Sequence, residues 1–277
     1  MNKAVCVRGL AIGDGMPKIC VPVMGRTQAE VLESAGNVVG SGADFVEWRA
    51  DYFEAVADLQ QTEKTAAMLR DVLQEIPLLF TFRTAKEGGE QALSIEEYEK
   101  LLLHMADSGI VDMIDVEAFR GYDCMETECQ KKGTDEVSFS VADGENERMA
   151  GFIQSLRRKL VVIGSYHDFR KTPKREEMLA RLLFMDRLGV DIPKLAVMPE
   201  SREDVLLLME TTLLADRLLP DKPLITMSMG AKGVVSRIAG GQFGSAVTFG
   251  CMGRASAPGQ MESGELKNIL TALYEKG

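Results

Sequence analysis

Eight short, apolar, β-branched runs alternate with longer stretches of helical period along the 277 residues, and no other feature constrains the fold as strongly. Strand followed by helix, repeated, builds parallel sheet, because a parallel neighbour is reached only through a crossover long enough to hold a helix. The runs are "KICVPVM" from Lys18, "DFVEWR" from Asp44, "PLLFTFR" from Pro77, "VDMIDVE" from Val111, "LVVIGSY" from Leu160, "PKLAVM" from Pro193, "PLITMSM" from Pro223 and "SAVTFG" from Ser245. Between them, Thr27 with Glu30, Ser94 with Glu97 and Ser201 with Asp204 have the spacing of helix caps, and Thr172 precedes Pro173 at a first-turn position. After Ser201, the residues Val205, Leu208, Met209 and Leu213 recur on one helical face, the stripe that lies against a sheet.

Eight such units in a chain near the typical length of about 250 residues predict a closed (β/α)8 barrel of TIM type over an open, doubly wound sheet. A composition of 45% hydrophobic and 27% charged residues fits one large core, so residues 1–277 are expected to form a single catalytic domain. The alternating stretch "AVCVRGLAIGDG" from Ala4 predicts a short N-terminal β-hairpin that closes the barrel bottom. An extended connection at about 120–146 is polar and weakly patterned, and helical character resumes from Glu145 to Lys159.

Charge excludes some partners. A net charge of −10 argues against nucleic acid and anionic membrane, which need a clustered excess of Lys and Arg. The five cysteines form no CxxC pair and mostly sit in apolar runs, as reduced thiols of a cytoplasmic protein do. No run reaches transmembrane length, and no secretory pattern opens the chain. With only His104 and His167 present, a multi-histidine metal site is excluded by count, and His104 reads as a surface or packing residue.

Reactive groups of a parallel barrel belong at the C-terminal ends of its strands. Polar residues collect there: Glu47 and Arg49 on strand two, Arg83 on strand three with Glu87 beyond it, Asp115 and Glu117 on strand four, and His167 on strand five. Arg237 falls in the seventh connection. For any one of these a surface or structural ion pair is the better reading; their convergence points to a site.

Lys194 stands among Ile192, Leu195, Ala196, Val197 and Met198. Desolvation there disfavours the ammonium and leaves an amine able to attack a carbonyl and form an imine. The alternative is a lysine that snorkels from a strand start to solvent. His167, one strand earlier, is the kind of proton-transfer group that an elimination or an aldol reaction needs beside an imine. Glycines in "MGAKGVVSR" and "IAGGQFGS" follow the last two strands, where many barrels bind phosphate, and define a rival reading as a Schiff-base aldolase or transaldolase. A barrel without catalytic activity would leave the placement of Lys194 and His167 to accident.

The segments "EWRAD" from Glu47, "FTFRTAKEGGEQ" from Phe80, "YHDF" from Tyr166, "DIPKLAVMP" from Asp191, "ITMSMGAKGVVSR" from Ile225, "FGSAVTFG" from Phe243 and "SAPGQ" from Ser256 come in the order found in a known family. Over nearly its whole length the chain resembles the type I 3-dehydroquinate dehydratases of the shikimate route. The resemblance implies that Lys194 is the Schiff-base nucleophile, His167 the general acid and base, and Glu87 the residue that orients His167. It further implies that Arg237, Ser256 and Gln260 hold the substrate carboxylate. Glu47, Arg49 and Arg83 would contact or support the ring hydroxyls, and Met227 and Met229 would form an apolar wall. It implies no metal or prosthetic group, the small molecule 3-dehydroquinate as partner, and a homodimer. Two departures stand out: the stretch from Gly121 to Asn146 is long, and Pro22 replaces a serine of some members.

Overall fold

The computed structural model describes residues 3–120, 143–253 and 255–274. The chain opens with β1 (Val5–Val7) and β2 (Leu10–Ile12), an antiparallel hairpin with Val5 opposite Ile12. Eight parallel strands follow: β3 (Lys18–Val23), β4 (Phe45–Arg49), β5 (Leu78–Thr81), β6 (Met113–Glu117), β7 (Val161–Asp168), β8 (Ile192–Val197), β9 (Ile225–Ser228) and β10 (Val247–Phe249). They pair in sequence order from β3 to β9, β10 pairs with β3, and a bridge from Leu224 to Ser245 closes the ring. The expected (β/α)8 barrel is what forms.

Helices α1 (Gln28–Val38), α2 (Leu59–Leu73), α3 (Ile95–Asp107), α4 (Asp143–Arg157), α5 (Arg175–Arg187), α6 (Arg202–Leu218), α7 (Val234–Ala239) and α8 (Ser263–Tyr274) complete the units. Ser94 and Ser201 form reciprocal capping boxes with Glu97 and Asp204, each worth about 1 kcal/mol. Thr27 caps α1 from one side only, since the Glu30 carboxylate accepts from Arg26 instead. Thr172 and Pro173 do not open α5; the helix starts at Arg175, and the Thr172 hydroxyl donates to the Met198 carbonyl, tying two connections together. On α6, Val205, Leu208 and Met209 are buried as the stripe predicts, but Thr211 and Thr212 are buried where Leu213 is only half-buried. Arg83 lies two residues past the end of β5 instead of within the strand, whereas His167 lies inside β7. Most of the connection at 120–146, with Cys124 and Cys129, is outside the described residues.

Side chains alternate across each strand, so every second residue points into the barrel. The lowest inward tier takes one residue per strand: Cys20, Phe45, Leu79, Met113, Ile163, Ile192, Ile225 and Val247, packed on Val7 and Ile12 of the hairpin. Burial of each large apolar side chain contributes about 1.5–3 kcal/mol, so this tier is a solid floor. Outward residues such as Val46, Trp48, Leu78, Phe80 and Ile114 pack beneath the helices.

Candidate active site

Two residues above the floor the inward positions change character. Counting up from each floor residue gives Pro22, Glu47, Thr81, Asp115, Ser165, Lys194, Met227 and Phe249 in order round the ring, and the next step reaches Arg49, Arg83, Glu117, His167, Ala196 and Met229. Strand polarity thus lifts a cluster of charge to the C-terminal end, over an apolar base that excludes water from below. Pro22 sits in register with Glu47, and nothing in the structure explains its choice over another residue.

Lys194 is 3% exposed. Its Nζ lies 3.1 Å from Asp115 Oδ2, 3.7 Å from Glu47 Oε1 and 4.8 Å above the centre of the Phe249 ring. The sequence neighbours of Lys194 suggest an apolar pocket, but across the barrel the amine meets two carboxylates. It does not snorkel to solvent.

Arg83 holds the next level together. It donates to Asp115 Oδ1 at 2.7 Å, to Glu117 Oε1 at 3.3 Å and to Ser165 Oγ at 2.9 Å, and lies 3.6 Å from Glu87. Arg49 forks onto Asp51 at 2.7 and 2.8 Å. Burial alone would push the Asp115 carboxyl up, but Arg83 and Lys194 outweigh it and hold Asp115 below the usual carboxylate range.

His167 Nδ1 lies 2.9 Å from Glu87 Oε2, and the His167 backbone N–H donates to the same oxygen at 3.0 Å. With Glu87 Oε2 already accepting one N–H, the tautomer that carries its proton on Nδ1 fits this geometry and leaves Nε2 free to act as a base. Burial, joined by repulsion from Arg83, Lys194 and Arg49, pulls the imidazole well below its ordinary value. Burial and repulsion from Glu117 push Glu87 well up, against the pull of Arg83. The base form of His167 therefore persists in acid. We predict that the acid limb of the kcat/KM profile lies below about pH 6.5, the unperturbed histidine value. A limb at or above that value, seen in the free enzyme's pH profile, contradicts the assignment.

Arg237 differs from the other buried arginines. It is 2% exposed and, among the described residues, reaches only the Met227 sulfur at 3.7 Å and the Pro258 carbonyl at 3.0 Å, with its Nε buried and unbonded. No carboxylate among the described residues pairs with it, and burial lowers its pKa to about 10. A buried, half-satisfied guanidinium facing a cavity is a ready anion site.

That cavity is lined by Glu47, Arg49, Arg83, His167, Lys194, Met227, Met229, Arg237, Ser256 and Gln260. Glu87 does not line it and stands behind His167. Ser256 and Gln260 bond each other at 3.0 Å on the strap after β10, and Arg49 donates to the Ser256 carbonyl at 3.4 Å. Phe169, Ala196, Phe249 and Ala257 also line the cavity and were not singled out from sequence. Phe249 shows a signal in hindsight, two positions above an inward valine; Phe169 lies beyond its strand and shows none. Phe169 stacks along His167 and fills the space over Gly88, where a Cβ would come within 2.4 Å of its ring.

Several of the glycines read as a phosphate loop are required by packing. A Cβ on Gly233 would sit 2.1 Å from the Ser228 carbonyl, and one on Gly241 would sit 2.2 Å from Pro17. His104, on α3, faces Glu63 at 2.7 Å away from the cavity.

Fold and site together define a (β/α)8-barrel enzyme with its charged groups gathered at the C-terminal mouth. The type I 3-dehydroquinase model matches residues 19–277. A 3-dehydroquinate dehydratase of Bacillus licheniformis is 43% identical over 275 residues, 99% of each chain, and one of Salmonella agona is 44% identical over 273 residues, again 99% of each. The solved type I 3-dehydroquinate dehydratase of Clostridium difficile, carrying covalently modified comenic acid, superposes with a TM-score of 0.88 at 39% identity over the full length of both chains. The chain belongs to the type I 3-dehydroquinase family and is a hydro-lyase.

Proposed function

We propose that the chain converts 3-dehydroquinate to 3-dehydroshikimate and water through an imine on Lys194. The observation that carries this reading is the buried Lys194 amine in one cavity with the His167 imidazole and the unpaired Arg237 guanidinium. Arg237 takes the substrate carboxylate as a fork, which is how an acidic protein binds an anion locally. Ser256 and Gln260 cover that end of the cavity, while Met227 and Met229 present an apolar wall. Glu47, Arg49 and Arg83 face the ring hydroxyls.

The Lys194 nitrogen condenses with the C3 ketone, releasing water and leaving a protonated imine that acidifies the C2 hydrogen. His167, oriented by Glu87, removes that proton through Nε2. The enamine electrons then expel the C1 hydroxyl, which leaves as water with the proton returned by His167. Hydrolysis of the conjugated imine consumes one water and frees the enone, so the net product is one water. None of these steps draws on a metal or prosthetic group. Cytoplasmic residence and assembly as a homodimer are supported by the family resemblance, and sedimentation at twice the chain mass tests the latter.

Mixing the protein with 3-dehydroquinate should produce the rising ultraviolet absorbance of a conjugated enone; no rise overturns the reading. Arg237→Lys keeps the charge but loses the fork, so KM should rise about tenfold or more with kcat little changed. An unchanged KM would mean that the carboxylate lies elsewhere.

A further inference from the structure

We infer that Asp115 is the fixed counterion of the Lys194 nitrogen, facing it as ammonium before condensation and as iminium afterwards. The inference rests on the imine reading above and assigns a task that the reading leaves open: what keeps the imine protonated while the C2 hydrogen is removed.

The two oxygens of Asp115 are divided between separate partners. Oδ1 accepts from Arg83 Nη2 at 2.7 Å and from Ser165 Oγ at 2.6 Å. Oδ2 accepts from Lys194 Nζ at 3.1 Å and from no other described residue. Asp115 is 0% exposed, so water cannot take the place of either partner. Arg83 is bound to Asp115 whatever Lys194 does, so the carboxylate has a cation beside it throughout the cycle and is a poor acceptor for the proton of the nitrogen.

Condensation conserves what Asp115 sees. An ammonium carries three hydrogens; one passes to His167 to free the lone pair that attacks and returns on the departing hydroxyl, a second leaves with the same oxygen as water, and the nitrogen keeps one hydrogen and a positive charge in the new C=N bond. The same oxygen can therefore hold the same nitrogen by one charge-assisted hydrogen bond on both sides of the step. The titratable groups acting with this nitrogen are Glu47 from β4, Asp115 from β6, His167 from β7 and the Cys20 thiol from β3, and Arg83, beyond β5, acts on the far oxygen of Asp115. Glu47 is the other anion, but it stands farther away, and the oxygen nearest the amine also accepts the Thr81 hydroxyl at 2.9 Å.

Asp115→Asn keeps the shape and removes the charge. The experiment reads the fraction of Lys194 reduced by cyanoborohydride in the presence of 3-dehydroquinate, by peptide mass, across pH, with a thermal melt confirming folding. In the unmodified protein trapping should stay level into alkaline buffer. In Asp115→Asn the pH at which trapping is lost should fall by about one to three units, the range for losing an adjacent opposite charge. Ser165→Ala, which loosens the carboxylate without removing its charge, should keep the unmodified profile. An Asp115→Asn profile that matches the unmodified one, even with reduced turnover, overturns the counterion and leaves Asp115 a structural role. If that variant does not fold, the unmodified profile decides, since trapping that falls away through neutral pH shows that no anion holds the iminium. No adduct at all in the unmodified protein removes the imine itself, and the counterion with it.

Discussion

Borohydride added with 3-dehydroquinate should inactivate the protein and leave one reduced, ligand-derived mass on the peptide that contains Lys194. Borohydride alone should do neither. The expectation follows from position: the amine is buried in the cavity, in a tier from which solvent is excluded below by the apolar floor. An imine formed there persists long enough to be reduced, whereas a solvated surface lysine holds no ketone. Lys194→Ala should abolish the adduct and lower kcat by about 10⁴-fold or more, the scale on which loss of a nucleophile acts. It also leaves Asp115 and Glu47 without their shared cation, so its thermal melt belongs beside its activity. Lys232→Ala, at an exposed lysine on the turn before α7, should leave both adduct and turnover in place. Turnover of 3-dehydroquinate without an adduct on Lys194 would keep the substrate and discard the covalent mechanism.

His167→Ala should keep substrate binding and lose on the order of 100-fold or more in kcat, as expected when a general acid and base is removed. The imidazole lines the cavity and is held by Glu87 through Nδ1 and through its own backbone N–H. Its removal does not touch the Arg237 end of the cavity, so KM should move far less than kcat. Near-normal turnover would show that another group moves the C2 proton.

The barrel was readable because its signal is local. Runs of four to eight residues separated by capped helices fix strand, helix and their order, and strand order fixes which ends share a face. Polar residues at those ends, two apart on one strand, announced Glu47 with Arg49 and Asp115 with Glu117. What sequence did not show is lateral. Lys194 bonds Asp115 79 positions earlier, and no periodicity along β8 could reveal that carboxylate. The same holds for Ser165, which reads as an ordinary strand residue until the ring closes and sets it between Arg83 and Asp115. Thr172 shows the opposite error, a good local cap pattern overridden by a hydrogen bond to a neighbouring connection. Ser256 and Gln260, on a strap without regular periodicity, came from resemblance alone.

Among the described residues, the floor below Lys194, packed on Val7 and Ile12, closes the barrel from below and leaves its C-terminal mouth open. The substrate enters there, and so must each water that the proposed cycle makes or consumes. Arg49 and Arg237 each donate to a strap carbonyl, at Ser256 and Pro258. In the proposed cycle the two guanidinium groups that hold the strap also face the substrate, so a change that tightens binding at either one should also slow departure.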